Sequence, residues 1–189
     1  MRTTFVPPSL ADPSPPAATT PAAPAAPGAP PPPPQPQLTL PMIADAFVNT
    51  PFAKPTAQIQ PVGGRTLVTL PTFVSLGWEA AGYEPGETRT VQLLGHAVAI
   101  RPLAANYLYD FGDGAVGPTT RRGGPYPTGD VSFAYRHAGT YQIKVTATYT
   151  GEFSVDGGPW TPIATTVPIP GPATPLDVRT SRNELIEGG

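Results

Sequence analysis

The sequence predicts an all-β domain, an antiparallel β-sandwich, carried behind a proline-rich arm. Three observations predict it. From Tyr141 to Tyr149, the residues Tyr141, Ile143, Val145, Ala147 and Tyr149 alternate with Gln142, Lys144, Thr146 and Thr148, the period of a half-buried strand. Short β-prone runs with Gly, Pro and Asp between them fill most of the chain beyond Leu38, as they do in sandwiches and not in βαβ arrays. The composition also breaks sharply: residues 1–37 hold fourteen prolines and only two charges, Arg2 and Asp12.

The arm comes first. It ends in the run Pro30 to Pro34, has too few apolar side chains to offset the entropy of folding, and loses a backbone donor at every proline. A disordered, polyproline II-like linker is therefore expected over 1–37, reaching on the order of 100 Å when extended, at about 3.1 Å per residue. A spacer is favoured over a docking motif for a proline-binding partner, since the flanking basic residues that orient such ligands are missing. The domain is expected over 38–189. Within it, "PMIADAFVNTPF", Pro41 to Phe52, is the one stretch expected to form a helical turn. Strands are expected at "AQIQPV" from Ala57, "TLVTL" from Thr66, "RTVQLL" from Arg89, "AVAIR" from Ala97, "NYLYDF" from Asn106, "VSFAYR" from Val131, "EFSV" from Glu152, "TPIATTVPI" from Thr161 and "PLDVRT" from Pro175. "DGG" at Asp156 to Gly158 reads as a tight hairpin whose glycines supply positive φ.

Composition excludes several function classes. Of 189 residues 30 are proline and 20 glycine, and 13% are charged, a balance unlike that of a helix-rich enzyme. The net charge of -2 leaves no footprint for nucleic acid or for an anionic membrane; Arg121 and Arg122, the only adjacent basic pair, read as a solvated loop. With no cysteine there are no disulfides, thiolate zinc sites or cysteine nucleophiles. No apolar run approaches the roughly 18 residues that span a bilayer. No apolar core of a secretory signal follows Met1 and Arg2, so an exported protein would here be a processed form or one with a misassigned start.

The stretch "YDFGDG", Tyr109 to Gly114, places Tyr109 and Phe111 on one face of a strand and Leu108 and Asp110 on the other. Gly112, Asp113 and Gly114 then end the strand in a turn, with aspartate able to accept from the backbone two residues on. Followed by "FAYRHAGTYQIKVTATY", this resembles the PKD domain, an immunoglobulin-like β-sandwich of extracellular and cell-surface proteins, whose pattern reads W-x-F-G-D-G and later H-x-Y-x-x-x-G-x-Y-x-V. Tyr109 stands where tryptophan is usual and Phe133 where histidine is usual, while Tyr135, Gly139, Tyr141 and Ile143 fall on the pattern. The resemblance covers about 88–150. With its flanks the chain is also similar to bacterial exported proteins that carry a PKD-like core behind a proline-rich stretch. An aromatic at position 133 can pack in place of the histidine.

Calcium binds some PKD-like domains, so the resemblance implies Asp110, Asp113 and Asp130 as ligands of a surface calcium site; their spacing is not that of an EF-hand loop, and the turn-forming reading outweighs it. Otherwise no cofactor is expected. A paired-carboxylate hydrolase would need one buried, shifted carboxyl group and its mate at a defined distance. His96 and His137 lie in no H-E-x-x-H motif, no serine sits in G-x-S-x-G, and neither "VGGRT" nor "RRGGP" continues into a phosphate loop. No catalytic residue is therefore assigned.

Flat rings in or beside loops are what a sugar-binding sandwich presents for stacking on pyranose faces, and Trp78, Tyr83, Tyr126 and Trp160 form that set; packing at the core or its rim is the favoured reading for them, and they are the candidates where a binding surface exists. Tyr109, Phe111, Phe133, Tyr135 and Tyr141 belong to the core. The function expected is thus a non-catalytic module outside the cytoplasm that binds cell-wall polysaccharide or a surface protein. The alternative is a structural spacer or assembly part of the cell envelope, and an accessory domain of a hydrolase follows behind both.

Overall fold

A computed structural model describes residues 36–181. The segment 1–35, which holds nearly all of the expected arm, and residues 182–189 lie outside the described residues.

The chain opens with the helix α1 (Leu40–Val48) and continues through ten strands: β1 (Pro55–Gln60), β2 (Arg65–Leu67), β3 (Pro71–Trp78), β4 (Arg89–Leu93), β5 (His96–Asp110), β6 (Ala115–Thr119), β7 (Ser132–Ala134), β8 (Gly139–Val155), β9 (Thr161–Pro170) and β10 (Thr174–Arg179). The architecture is the expected all-β one. One sheet has the order β1-β3-β7; the other runs β2-β10-β8-β5-β4, with β6 added beside β5 and β9 beside β8. All pairs are antiparallel except β10 with β2, which is parallel and three residues long. A parallel pair needs a long crossover, and strands β3 to β9 lie between these two in sequence.

Proline and glycine hid three features of the strands. β3, "PTFVSLGW", was not expected, because Pro71 opens it and Gly77 interrupts its apolar pattern; the expected strand at Thr66 shrinks to β2, and the chain turns at Val68–Leu70 before β3 begins. β6, "AVGPT", is masked in the same way. The runs from Ala97 and Asn106 are one continuous strand. Pro102 is tolerated within it because Gly86 N–H donates to Pro102 O at 2.7 Å, on the edge away from β8. A strand residue turns its N and O to the same side, so the missing N–H faces that edge too.

Inward-facing residues of the two sheets form the core, which includes Val74, Val98, Ile100, Tyr109, Phe111, Ile143, Val145, Tyr149 and Leu176. Aromatic rings concentrate at two places. Tyr109, Phe111, Phe133, Tyr135 and Tyr141 follow one another at centroid separations of 6.4, 4.9, 5.0 and 4.3 Å. Elsewhere, Phe52 packs between Phe47 of α1 and Tyr149 at 5.1 and 4.6 Å. The helix has Pro41 in its first turn, where the lost donor costs nothing, and buries Ile43 and Phe47, four residues apart on one face. Arg89 ties its end to β4 by donating to Asn49 O and Thr50 Oγ1 at 3.2 and 3.1 Å; a cation at a helix C-terminus also meets the negative end of the dipole.

Candidate functional site

Asp110 is exposed at the end of β5, and its Oδ1 accepts the Gly112 N–H at 2.9 Å. This is an Asx-type closure, a carboxylate standing in for a backbone acceptor. Tyr135, fully buried, donates its hydroxyl to Phe111 O at 2.9 Å from β7's far end, and Tyr109 donates to Arg121 O at 3.0 Å. Gly139 opens β8, and Tyr141 Oη reaches back to His137 O at 3.0 Å. The motif residues thus tie β5, the loop after β6 and the β7–β8 turn into one end of the sandwich. Burial is the chief cause of the raised tyrosine pKa values here: Tyr109 is pushed up to about 12, and Tyr135 rises further, with Tyr149 likewise raised by burial.

The three aspartates named for calcium do not converge. Among the described residues no three His, Asp or Glu side chains are grouped as a metal site requires. Asp110 is turned onto its own loop, and Asp130 lies in the β6–β7 connection beside Tyr109, Thr119 and Arg121. The geometry therefore gives no support to a calcium site built from Asp110, Asp113 and Asp130.

The four aromatics are also scattered. Trp78 is the last residue of β3, on the side that Thr72 and Val74 bury, and packs against Tyr107 and Tyr149 at 6.3 and 5.8 Å. Its alternation with those residues makes it part of the core's rim, at the end of a strand and not in a loop. Tyr83 is half-buried, held by backbone bonds in both directions between its own N and O and residues Pro51 and Ala53. Trp160 follows the β8–β9 turn, with the Arg101 guanidinium 4.1 Å from its ring centre; Arg101 Nε also donates to Glu152 Oε1 at 2.7 Å. One ring face is thus covered by a paired cation.

Tyr126 differs. It is 71% exposed, and Val62 beside it is 87% exposed. With Gln60, Pro61, Leu70, Pro71 and Phe73 these residues line an open groove of about 500 Å³. Phe73 points outward from β3 and meets the Tyr126 ring edge-on at 5.6 Å. Tyr126 N–H donates to Gln60 Oε1 at 2.8 Å, joining the β6–β7 loop to the end of β1. No lining residue is charged. Val62 and Leu70 had no signal in the sequence, because their exposure depends on the turns at 61–64 and 68–70.

A second polar feature was missed as well. His96 Nδ1 lies 2.7 Å from Asp156 Oδ2, and Asp156 Oδ1 accepts the Ala97 N–H at 2.9 Å. The hydrogen bond to His96 and then that to Ala97 hold the Asp156 carboxyl below the ordinary carboxylate range. Asp156 and Gly157, at φ +50 and +77, form the centre of a turn closed by Gly158 N–H to Val155 O at 2.9 Å, the mirror-image type that hairpins favour. Ser154, the nearest serine in sequence, does not complete a nucleophilic triad: its Oγ donates to Gly158 O at 2.6 Å, whereas a triad needs that hydroxyl on the imidazole. The pair staples a hairpin.

Residues 74–152 match the family model of the PKD domain. Comparison with curated proteins and with solved structures finds no significant match. The matched span runs from β3 to β8 and contains "YDFGDG" and the Tyr135–Gly139–Tyr141 series; β1, β2, β9 and β10 complete the sheets from outside it, and α1 also lies outside it. With the all-β sheets, the motif turn and this match in agreement, residues 74–152 are similar to the PKD domain.

Proposed function

We propose that this protein is a non-catalytic interaction module acting outside the cytoplasm, and that it binds a partner protein through the groove under Tyr126. PKD domains are immunoglobulin-like modules common in surface and secreted proteins and associated with protein or carbohydrate interaction. Among the described residues no helix is long and apolar enough to cross a membrane.

The observation that carries the reading is Tyr126, exposed over a groove whose walls are Val62, Leu70, Phe73 and two prolines. Exposed aromatic and aliphatic groups that share a concave surface are costly to leave in water and are the usual anchors of protein interfaces. Gln60 and the Tyr126 hydroxyl are the hydrogen-bonding side-chain groups of the lining, and Gln60 Oε1 is already engaged. A sugar would need several hydrogen-bonding groups there, so a protein is the better fit. The proline-rich segment then serves as the spacer that its composition suggests.

The test joins location to contact. Cells producing the full chain are separated into cytosol, membrane, wall and medium, and the chain carrying a photo-crosslinking residue in place of Tyr126 is irradiated in the fraction that holds it. Recovery outside the cytosol, with a discrete protein adduct that Val62→Ser suppresses, is expected. Recovery only from cytosol, or retention on purified wall polysaccharide that Tyr126→Ser leaves intact, sinks the reading.

A further inference from the structure

The outer edge of β5 is interrupted. β4 pairs with it from His96 to Ile100, and β6 from Tyr107 to Asp110. Between them, residues 101–106 carry on that edge a single backbone hydrogen bond among the described residues, from Gly86 N–H to Pro102 O. Alternation along the strand turns the N–H and C=O of Ala104 to the same edge as those of Pro102. A register shift between Ala104 and Asn106 then lifts Ala105 out of the ladder with β8. Into this notch opens a pocket of about 330 Å³ lined by Pro85, Ala104, Ala105, Tyr107, Thr120 and Arg122.

We propose that the notch binds an extended segment of a partner protein as an added strand, with an acidic side chain of that segment seated against Arg122. The bare edge runs from Leu103 to Asn106, roughly 13 Å at about 3.3 Å per residue, and leaves the N–H and C=O of Ala104 free, enough for a short extended segment whose backbone meets those groups, the recognition mode known as β-augmentation. The charges orient it. Arg122 is the only charged residue in the lining and has no ion pair among the described residues. Its backbone is fixed, since Arg122 O accepts the Leu76 N–H at 2.8 Å. Glu84 directly precedes the lining residue Pro85, and Glu87 Oε2 accepts the Glu84 N–H at 2.8 Å, so two carboxylates stand in the turn on the β4 side. An acidic ligand residue is therefore drawn to the β6 side and repelled from the β4 side. Tyr107 is only 5% exposed, so the pocket offers no open ring on which a pyranose could stack. The notch is separate from the Tyr126 groove and does not depend on it.

The test selects peptides against the full chain from a displayed library of random dodecapeptides, then titrates a selected peptide into ¹⁵N-labelled full chain. Expected are an Asp or Glu flanked by β-branched residues, and amide shifts at Leu103–Asn106. Binding should weaken about tenfold or more in Arg122→Gln, and a Lys-for-acid peptide should recover binding to Arg122→Glu. Arg122 is exposed, so these variants fold. The proposal is overturned if no selected peptide binds above background, if binding peptides shift Tyr126 and Val62 instead, or if Arg122→Gln binds equally well. It is overturned also if trigalacturonate, and no peptide, shifts the notch amides, which would assign the site to an acidic sugar.

Discussion

Phe133 lies nearly parallel to Phe111, with ring centroids 4.9 Å apart and planes inclined by 15°. It stands where the PKD pattern usually has histidine, and meets Tyr135 edge-on at 5.0 Å on its other flank. An aromatic at this position is held by packing area, with offset stacking adding about 0.5–1.5 kcal/mol. Phe133→Ala is expected to cost about 2–4 kcal/mol, somewhat less than a fully buried phenylalanine because the ring is half-buried. Phe133→His should cost less than Phe133→Ala, since a flat ring remains. Urea unfolding of the three proteins, followed by tyrosine fluorescence, measures both differences.

Tyr135 Oη and Tyr149 Oη each donate to a distant carbonyl, Phe111 O at 2.9 Å and Ala53 O at 2.7 Å, from fully buried side chains. Replacing either with phenylalanine leaves a buried carbonyl without its donor, at a cost of about 1–3 kcal/mol. The two losses should add within a few tenths of a kcal/mol, because the rings belong to separate aromatic groups. A double-mutant cycle in denaturant checks this.

The buried tyrosines also set an alkaline limit. Their folded pKa values lie above the ordinary value of 10.0, Tyr109 at about 12, because ionisation in the core is opposed by desolvation. The stability they contribute is complete below pH 10 and falls as pH rises through the folded values, since unfolding then releases groups that ionise freely. The tyrosinate absorbance of this buried set should therefore appear only well above pH 10, together with loss of near-UV circular dichroism. Its appearance near pH 10 with the fold intact would contradict the burial.

Asp156 works in the opposite sense. Its carboxyl is held below the ordinary carboxylate range by His96 and the Ala97 N–H, so the stability it adds is present above the unfolded carboxylate pKa and is lost as pH falls through the lower, folded value. Asp156→Asn keeps a residue that tolerates positive φ but removes the charge. The difference in urea midpoint between Asp156→Asn and the parent should shrink below about pH 4. Faster exchange of the Ala97 amide in the variant would place the effect at this hairpin.

How legible these features were in the sequence depended on how local their causes are. Period-two alternation made β8 readable, since Ile143, Val145, Ala147 and Tyr149 are all inward residues of one strand. The Asp110–Gly112 bond spans two residues and is implied by the motif itself. β3 was hidden because its inward residues are Thr72, Val74, Leu76 and Trp78, one of them polar, behind an opening proline. The same misreading placed Trp78 in a loop. The groove and the notch could not be read at all: Gln60 meets Tyr126 across 66 residues of chain, and the bare edge of β5 exists only because β4 ends and β6 begins where they do. Sites made by the absence of a neighbour leave no local pattern.

Gly123 tests how the loop that carries Arg122 and Tyr126 is held. It sits at φ +70, and a Cβ there would lie 1.8 Å from Val74 O. The close approach lets Leu76 N–H reach Arg122 O at 2.8 Å and Gly124 N–H reach Val74 O at 3.2 Å, so the loop lies against β3 almost as another strand. Gly123→Ala must lift it, and a loss of about 2–4 kcal/mol is expected from strain and broken bonds together. Gly86→Ala is the control: its φ is also positive, +98, but nothing lies within 4 Å of the added carbon, so only the backbone term of about 1 kcal/mol applies. Thermal unfolding ranks the two. If Gly123→Ala costs no more than Gly86→Ala, the loop is not anchored on β3, and the positions of Arg122 in the notch and Tyr126 over the groove lose their common support.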